Sequence, residues 1–166
     1  MATAVFGILT VLLLSSSVWN QDKQASVTKP QPIPFSHRLH TVFIPQCTDC
    51  HRISTAEDIS YPPVALCMQC HTTIAAKSPA IVKLTEYYLK KEQVPWVQIY
   101  ELAEFVYFSH SIHCAKAKVG CDICHGRAAE RDVITKEKSI SMVACVQCHL
   151  KWNAPVKCNT CHNPNP

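Results

Sequence analysis

The stretch "YFSHSIHCAKAKVGCDICH", Tyr107–His125, puts three histidines and three cysteines into nineteen residues. Its last five residues, Cys121 to His125, have the form C-x-x-C-H. The same form occurs as "CTDCH" (Cys47, Cys50, His51) and "CMQCH" (Cys67, Cys70, His71). It returns as "CVQCH" (Cys145, Cys148, His149) and "CNTCH" (Cys158, Cys161, His162). Ten of the eleven cysteines are thereby placed in five identical patterns, and Cys114 is left over.

Three ordinary uses of cysteine fit this spacing poorly. A disulfide framework does not require a histidine after each pair. Zinc ribbons consume C-x-x-C two at a time, so five is an awkward number for them. A thioredoxin-like motif occurs once, beside a βαβ pattern. C-x-x-C-H is the attachment signature of c-type haem, in which two thioethers tether the porphyrin and the adjacent histidine binds iron from one face. The expectation is five covalent haem c groups. Cys47, Cys50, Cys67, Cys70, Cys121, Cys124, Cys145, Cys148, Cys158 and Cys161 would attach them. His51, His71, His125, His149 and His162 would be proximal ligands.

The formal charge of +4 over 166 residues is reinterpreted on that reading, because each haem carries two propionates. The Lys and Arg residues read as propionate partners and solvated surface. No basic run or nucleic-acid motif is present, so no nucleic-acid partner is expected.

"PFSHRLHTVFIPQCTDCH" (Pro34–His51) aligns with the opening stretch: Phe35, Ser36, His37 and His40 match Phe108, Ser109, His110 and His113. Each copy runs on to one C-x-x-C-H, and a second follows after a short connection. The chain therefore reads as two repeated units with the fifth motif as a tail. Five electron-transferring haems offer ten axial positions. The nine histidines comprise five in the motifs and the four of the two H-x-x-H pairs. His37, His40, His110 and His113 are thus candidate distal ligands. Positions i and i+3 share a helix face, and each iron has one free side once its proximal histidine is bound. The two members of a pair are therefore expected to serve different haems.

The tenth position has no histidine. Met142, three residues before Cys145, is the candidate; a packing methionine and a vacant iron are the alternatives. Met68 sits inside its own motif, where reaching an axial site is awkward. Cys114 reads as a small buried apolar residue.

Residues 1–19 form an apolar N-terminal segment without charge. Its length sits between a signal peptide, with Ser15-x-Ser17 as a cleavage site, and a short transmembrane helix. A retained anchor is the preferred expectation. Residues 20–34, polar and punctuated by proline, read as a linker, and 35–166 as the haem domain. Between the two units, Ser78 and Pro79 are a helix start, Ile81, Leu84 and Tyr88 share one face, and Pro95 ends the pattern. "WVQIYELAEFVYF" (Trp96–Phe108) reads as extended segments packed on haem faces. The expected fold is mainly α with much irregular structure: a compact multihaem cytochrome c domain of two repeated units, preceded by one hydrophobic helix.

With F-x-H-x-x-H ahead of C-x-x-C-H, the chain resembles the class III multihaem cytochromes c. "PWVQIYELAEFVYFSHSIH…VGCDICHG" with "SMVACVQCH" is similar to the pentahaem cytochrome subunit of alternative complex III, a bacterial quinol-oxidising assembly. That resemblance implies an electron-transfer subunit that is not itself an enzyme. It would be anchored in the bacterial inner membrane, with the haem domain on the periplasmic side. Its partners would be the other subunits of a quinol-oxidising membrane complex, including an iron-sulfur/molybdopterin-like one, and a downstream cytochrome c or oxidase. It also implies distal ligation by His37, His40, His110 and His113, and by Met142. A free periplasmic shuttle is the competing expectation. A haem-based reductase is less favoured, because all five motifs end in histidine and no spare base accompanies them.

Overall fold

The structure is a computed structural model that describes residues 30–54 and 58–162. The apolar segment 1–19 and most of the expected linker lie outside the described residues. Among the described residues no helix is long and apolar enough to cross a membrane.

The elements are short and mostly helical. In order they are α1 (His37–Thr41), α2 (Cys47–Cys50), β1 (Ile53–Ser54), β2 (Asp58–Ile59), α3 (Val64–His71) and α4 (Pro79–Lys90). A π-helix (Ser111–Lys116), α5 (Cys121–His125), a 3₁₀ turn (Ala128–Glu130), α6 (Met142–Lys151) and α7 (Cys158–Cys161) follow. The strands pair antiparallel, Ile53 opposite Ile59.

The helix expected after Ser78 forms as read at its start. The Ser78 hydroxyl accepts from the Ile81 amide and Pro79 occupies the first turn, which satisfies a donor that has no partner within the helix. Two features differ. The helix closes at Lys91 in the left-handed conformation, φ 57°, four residues ahead of Pro95. Tyr88, placed on the buried face by periodicity, is 44% exposed, whereas Ile81 and Leu84 are buried. The apolar stripe is narrow because α4 meets mainly one neighbour, α3.

The side-chain core is small. Ile33, Val64, Met68, Ile81, Leu84 and Val94 are buried together, with Cys67, Tyr87 and Trp96 packed against them. Residues 31–33, assigned to the linker on composition, are fastened to this core. Ile33 is part of it, Gln31 exchanges two hydrogen bonds of 2.9 Å with the backbone of Val97, and Lys83 donates to the Pro32 carbonyl at 2.8 Å. Large apolar residues elsewhere stand open: Phe43 is 84% and Trp152 73% exposed. Helices of four or five residues such as α2, α5 and α7 are far below the length that is stable alone in water. A cofactor-free side-chain core of six residues does not account for them.

The segment "WVQIYELAEFVYF" is irregular backbone with a turn at Glu104–Phe105, and its Leu102, Phe105 and Tyr107 are exposed. A different contact joins the two halves of the described chain. α1 docks on the segment just after the third motif: the Arg38 amide donates to Arg131 O at 3.0 Å and Thr41 Oγ1 to Ala129 O at 3.0 Å. Asp132 accepts from Ser36 Oγ at 2.6 Å and from the Arg38 guanidinium through both oxygens. These bonds, the serine's first, hold the Asp132 carboxyl below its ordinary value of 3.8.

Candidate functional site

Both F-S-H-x-x-H segments adopt the same local geometry. The serine caps the turn: Ser36 Oγ accepts from the Leu39 amide at 3.1 Å and Ser109 Oγ from the Ile112 amide at 3.3 Å. The serine carbonyl accepts from Nδ1 of the second histidine, His40 at 2.7 Å and His113 at 2.8 Å. The phenylalanine ring meets the first histidine edge-on and stacks on the second. Phe35 lies 4.8 Å from His37 and 4.3 Å from His40; Phe108 lies 4.8 Å from His110 and 4.4 Å from His113. The motif thus fixes two imidazoles that diverge from one aromatic wedge. One detail separates the copies: α1 is α-helical, whereas His110 leads into a π-helix whose Ala117 amide reaches the Ile112 carbonyl. π-helical turns concentrate at functional sites.

In the C-x-x-C-H motifs the two cysteines stand one turn apart on a helix, so both thiols share a face. In α2, α5 and α7 the motif is nearly the whole helix; in α3 it is the C-terminal part and in α6 the middle.

Each distal candidate stands opposite one motif histidine. Ring centroids are 6.3 Å apart for His37–His51 and 6.0 Å for His40–His71. They are 6.1 Å apart for His110–His125 and 6.0 Å for His113–His149. His37–His51 and His110–His125 are also near parallel, at 9° and 13°. With metal–nitrogen bonds of about 2.0 Å and a ring radius of about 1.15 Å, two imidazoles on opposite sides of one iron have centroids about 6.3 Å apart. The four spacings fit that requirement. Among the described residues no group of three or more His, Cys, Asp or Glu is placed to hold a bare metal ion. Histidine donors arrive in opposed twos, as a porphyrin-held iron needs.

The ring nitrogens are also prepared. Nδ1 of His40, His51, His71, His113, His149 and His162 each faces a backbone carbonyl, at 2.6 to 3.4 Å. A carbonyl oxygen only accepts, so Nδ1 carries a proton, and in the neutral ring Nε2 is then the nitrogen with the lone pair. Such outer bonds fix the ring orientation of a ligating histidine. His37 is held to about 4, by burial first and then by His51 and His40, and its buried Nδ1 lacks a hydrogen-bond partner. His125 is lowered by burial and by His110 and His51. Both rings are neutral at physiological pH, the form that binds iron. Burial also raises the thiols of Cys50, Cys67, Cys121, Cys124 and Cys145.

His162 is arranged otherwise. Its ring lies 5.7 Å from Phe105 and its Nδ1 faces Phe105 O. Among the described residues no histidine stands opposite it. Met142 is the first residue of α6, 70% exposed and one turn ahead of Cys145. Met68 is buried in the side-chain core, away from axial duty. Cys114, read as buried, is only half-buried, on the π-helix close to Cys121 and Cys124.

Three residues around His125 carried no sequence signal of their role. Tyr100 packs edge-on against the His125 ring at 4.7 Å. Its hydroxyl accepts from the Glu137 and Lys138 amides at 2.9 and 3.3 Å and faces His125 O at 3.4 Å. Glu137 in turn accepts from the Arg127 amide at 3.1 Å and pairs with the Arg131 guanidinium. Gly126 lets the chain pass between them: its φ is 66° and ψ −156°, a region essentially reserved for glycine. A Cβ there would meet Glu137 Oε2 at 2.5 Å. Gly126→Ala is expected to cost about 1–3 kcal/mol of strain and to shift Glu137. Thermal unfolding of the variant against Gly120→Ala measures it; equal melting temperatures would refute the special role.

Two comparisons bear on the arrangement. The model of the class III cytochrome c family matches residues 15–94, the stretch with the first two motifs and the His37/His40 pair. The chain is also similar to the "Menaquinone reductase, multiheme cytochrome c subunit" of Nitratidesulfovibrio vulgaris. The two are 30% identical over 152 residues, covering 89% of this chain and 64% of the relative. The chain thus spans less than two thirds of that relative's length.

Proposed function

We propose that this chain is a multihaem cytochrome c that relays electrons as the non-catalytic subunit of a quinone-linked membrane complex. The observation that carries the reading is the set of four opposed histidine pairs, each a distal candidate facing a motif histidine at 6.0 to 6.3 Å. Haem, when bound, supplies one-electron chemistry at iron whose potential the axial ligands set.

The chain's own residues divide the work as follows. The ten motif cysteines would hold five haem c groups. His37 with His51, His40 with His71, His110 with His125, and His113 with His149 would hold the irons of four. His162, with Met142 as the candidate second ligand, would hold the fifth. The phenylalanine wedges keep the distal rings oriented, and the serine carbonyls fix Nδ1 of His40 and His113. The two F-S-H-x-x-H segments head two repeated units, supported by their matching geometry.

The quinone link rests on two likenesses that differ in direction. The Trp96–Gly126 block resembles the pentahaem subunit of the quinol-oxidising alternative complex III. The relative's printed name is that of a menaquinone reductase subunit. A relay serves either direction, and the other subunits decide it. Placement in the bacterial inner membrane, with the haem domain periplasmic, is part of the same proposal and takes residues 1–19 as a retained anchor.

Two measurements test the proposal. A pyridine haemochrome assay per chain should give five haems, and a ratio of four or fewer would remove the five-site reading. The protein should sediment with membranes at high salt and carry its N-terminal segment by intact mass. A soluble protein with a mature N-terminus near Val18 would favour the free shuttle instead.

A further inference from the structure

We infer that the five attachment sites do not follow one another in space as they do in sequence: the order is second, first, third, fourth, fifth, with the second and fifth sites as the two ends. This rests on the haem-relay reading above.

Each adjacency has its own contact. The first and second sites are joined through α1, because His37 faces His51 and His40, one turn on, faces His71. Phe35 packs on both distal rings. The third and fourth sites are joined in the same way by His110, His113 and Phe108.

The decisive adjacency lies between the first and third sites. α1 is bonded to the backbone just past the third motif through Arg38–Arg131 and Thr41–Ala129, and by the Ser36 and Arg38 bonds to Asp132. The Cys121 thiol lies close to that of Cys47. A cavity of about 560 Å³ is lined from one side by Thr48, Arg52 and Ile53 of the first site, and from the other by Cys114, Val119 and Cys121. β1 packs on the π-helix in the same place. The two units therefore meet through their first sites.

The fifth site is added beside the fourth, the Cys161 thiol lying close to that of Cys145. The Tyr107 amide donates to Cys161 O at 2.7 Å and His162 faces Phe105 O, both just ahead of Phe108. The second site sits at the opposite end, on α3, with the small side-chain core and α4 behind it. A one-electron path along the chain thus enters or leaves at α3 and at α7, and crosses between units where Cys47 meets Cys121.

The test is an experimental structure of the haem-loaded full chain, with EPR in solution beside it. The iron held by His51 should neighbour those held by His71 and His125, and the iron held by His71 should neighbour the first alone. An iron held by His71 lying between those of His51 and His125 would overturn the order. In solution, His110→Met raises the potential of the third site toward that of the fifth, so that these two are reduced ahead of the other three. Signals of the first and fourth sites, identified through His37→Met and His113→Met, should then sharpen as their ferric neighbour becomes diamagnetic, while that of the second stays unchanged. Sharpening of the second in place of the first would refute the inference. Haem count by intact mass reads the relay proposal separately: five haems in another spatial order sink only this inference, whereas chains without covalent haem sink both.

Discussion

His110→Ala should convert the haem held by Cys121, Cys124 and His125, and no other, to high spin, and His113→Ala should do the same to the haem held by Cys145, Cys148 and His149. The two variants differ because the rings diverge from Phe108. His110 stands 6.1 Å from His125, and His113 stands 6.0 Å from His149. Losing a distal imidazole removes a strong donor to ferric iron, so the affected haem should also rise in potential. An increase on the order of 0.1 V is expected, a fraction of the roughly 0.8 V that axial ligands command. The double variant should show two high-spin haems. His37→Ala and His40→Ala should repeat the pattern on the first and second haems. EPR of the oxidised protein counts high-spin centres, and a redox titration assigns the shifts. The pairing is wrong if the two single variants give the same spectrum.

Met142 carries the second large effect. Among the nine histidines, His162 is the motif histidine that no other faces among the described residues. Met142 stands one turn before Cys145, close to which the Cys161 thiol lies. Thioether sulfur is a weaker donor than imidazole and favours ferrous iron. The fifth haem should therefore have the highest potential of the five, at one end of the line. Near-infrared magnetic circular dichroism should show one His/Met haem in the native protein, and Met142→Leu should abolish that band and leave four bis-histidine haems. A native protein without the band, or a variant that keeps it, would defeat the assignment. Met142 would then be an exposed surface residue, and the fifth iron would have an open or water-filled face.

Residues 31–33 and 88–95 show where sequence patterning stops. Tyr88 has the right spacing for the face of Ile81 and Leu84, yet it is exposed, because a helix buries only the stripe that a neighbour covers. Periodicity gives the stripe and does not give the neighbour. Ile33 was hidden in a proline-rich context that reads as linker, although one apolar side chain and the two Gln31 amide bonds suffice to dock it. Tyr100 and Glu137 support His125 through contacts across 25 to 37 residues, a separation that no local motif encodes.

What the sequence determined by itself is the chemistry. C-x-x-C-H is a local pattern whose five residues carry their meaning within one helical turn. Counting nine histidines against ten axial positions needs no coordinates. The F-S-H-x-x-H repeat likewise marks two pairs of candidate distal ligands, the members of each expected to serve different haems. Tertiary structure decided the partners. Which distal ring faces which proximal ring depends on where α1 and the π-helix lie relative to α2, α3, α5 and α6. That depends in turn on long-range bonds such as Arg38–Asp132, across 94 residues. The closeness of Cys47 to Cys121 is of the same kind: CTDCH and CDICH share one form, and they are made neighbours only by the docking of α1 on the segment after the third motif.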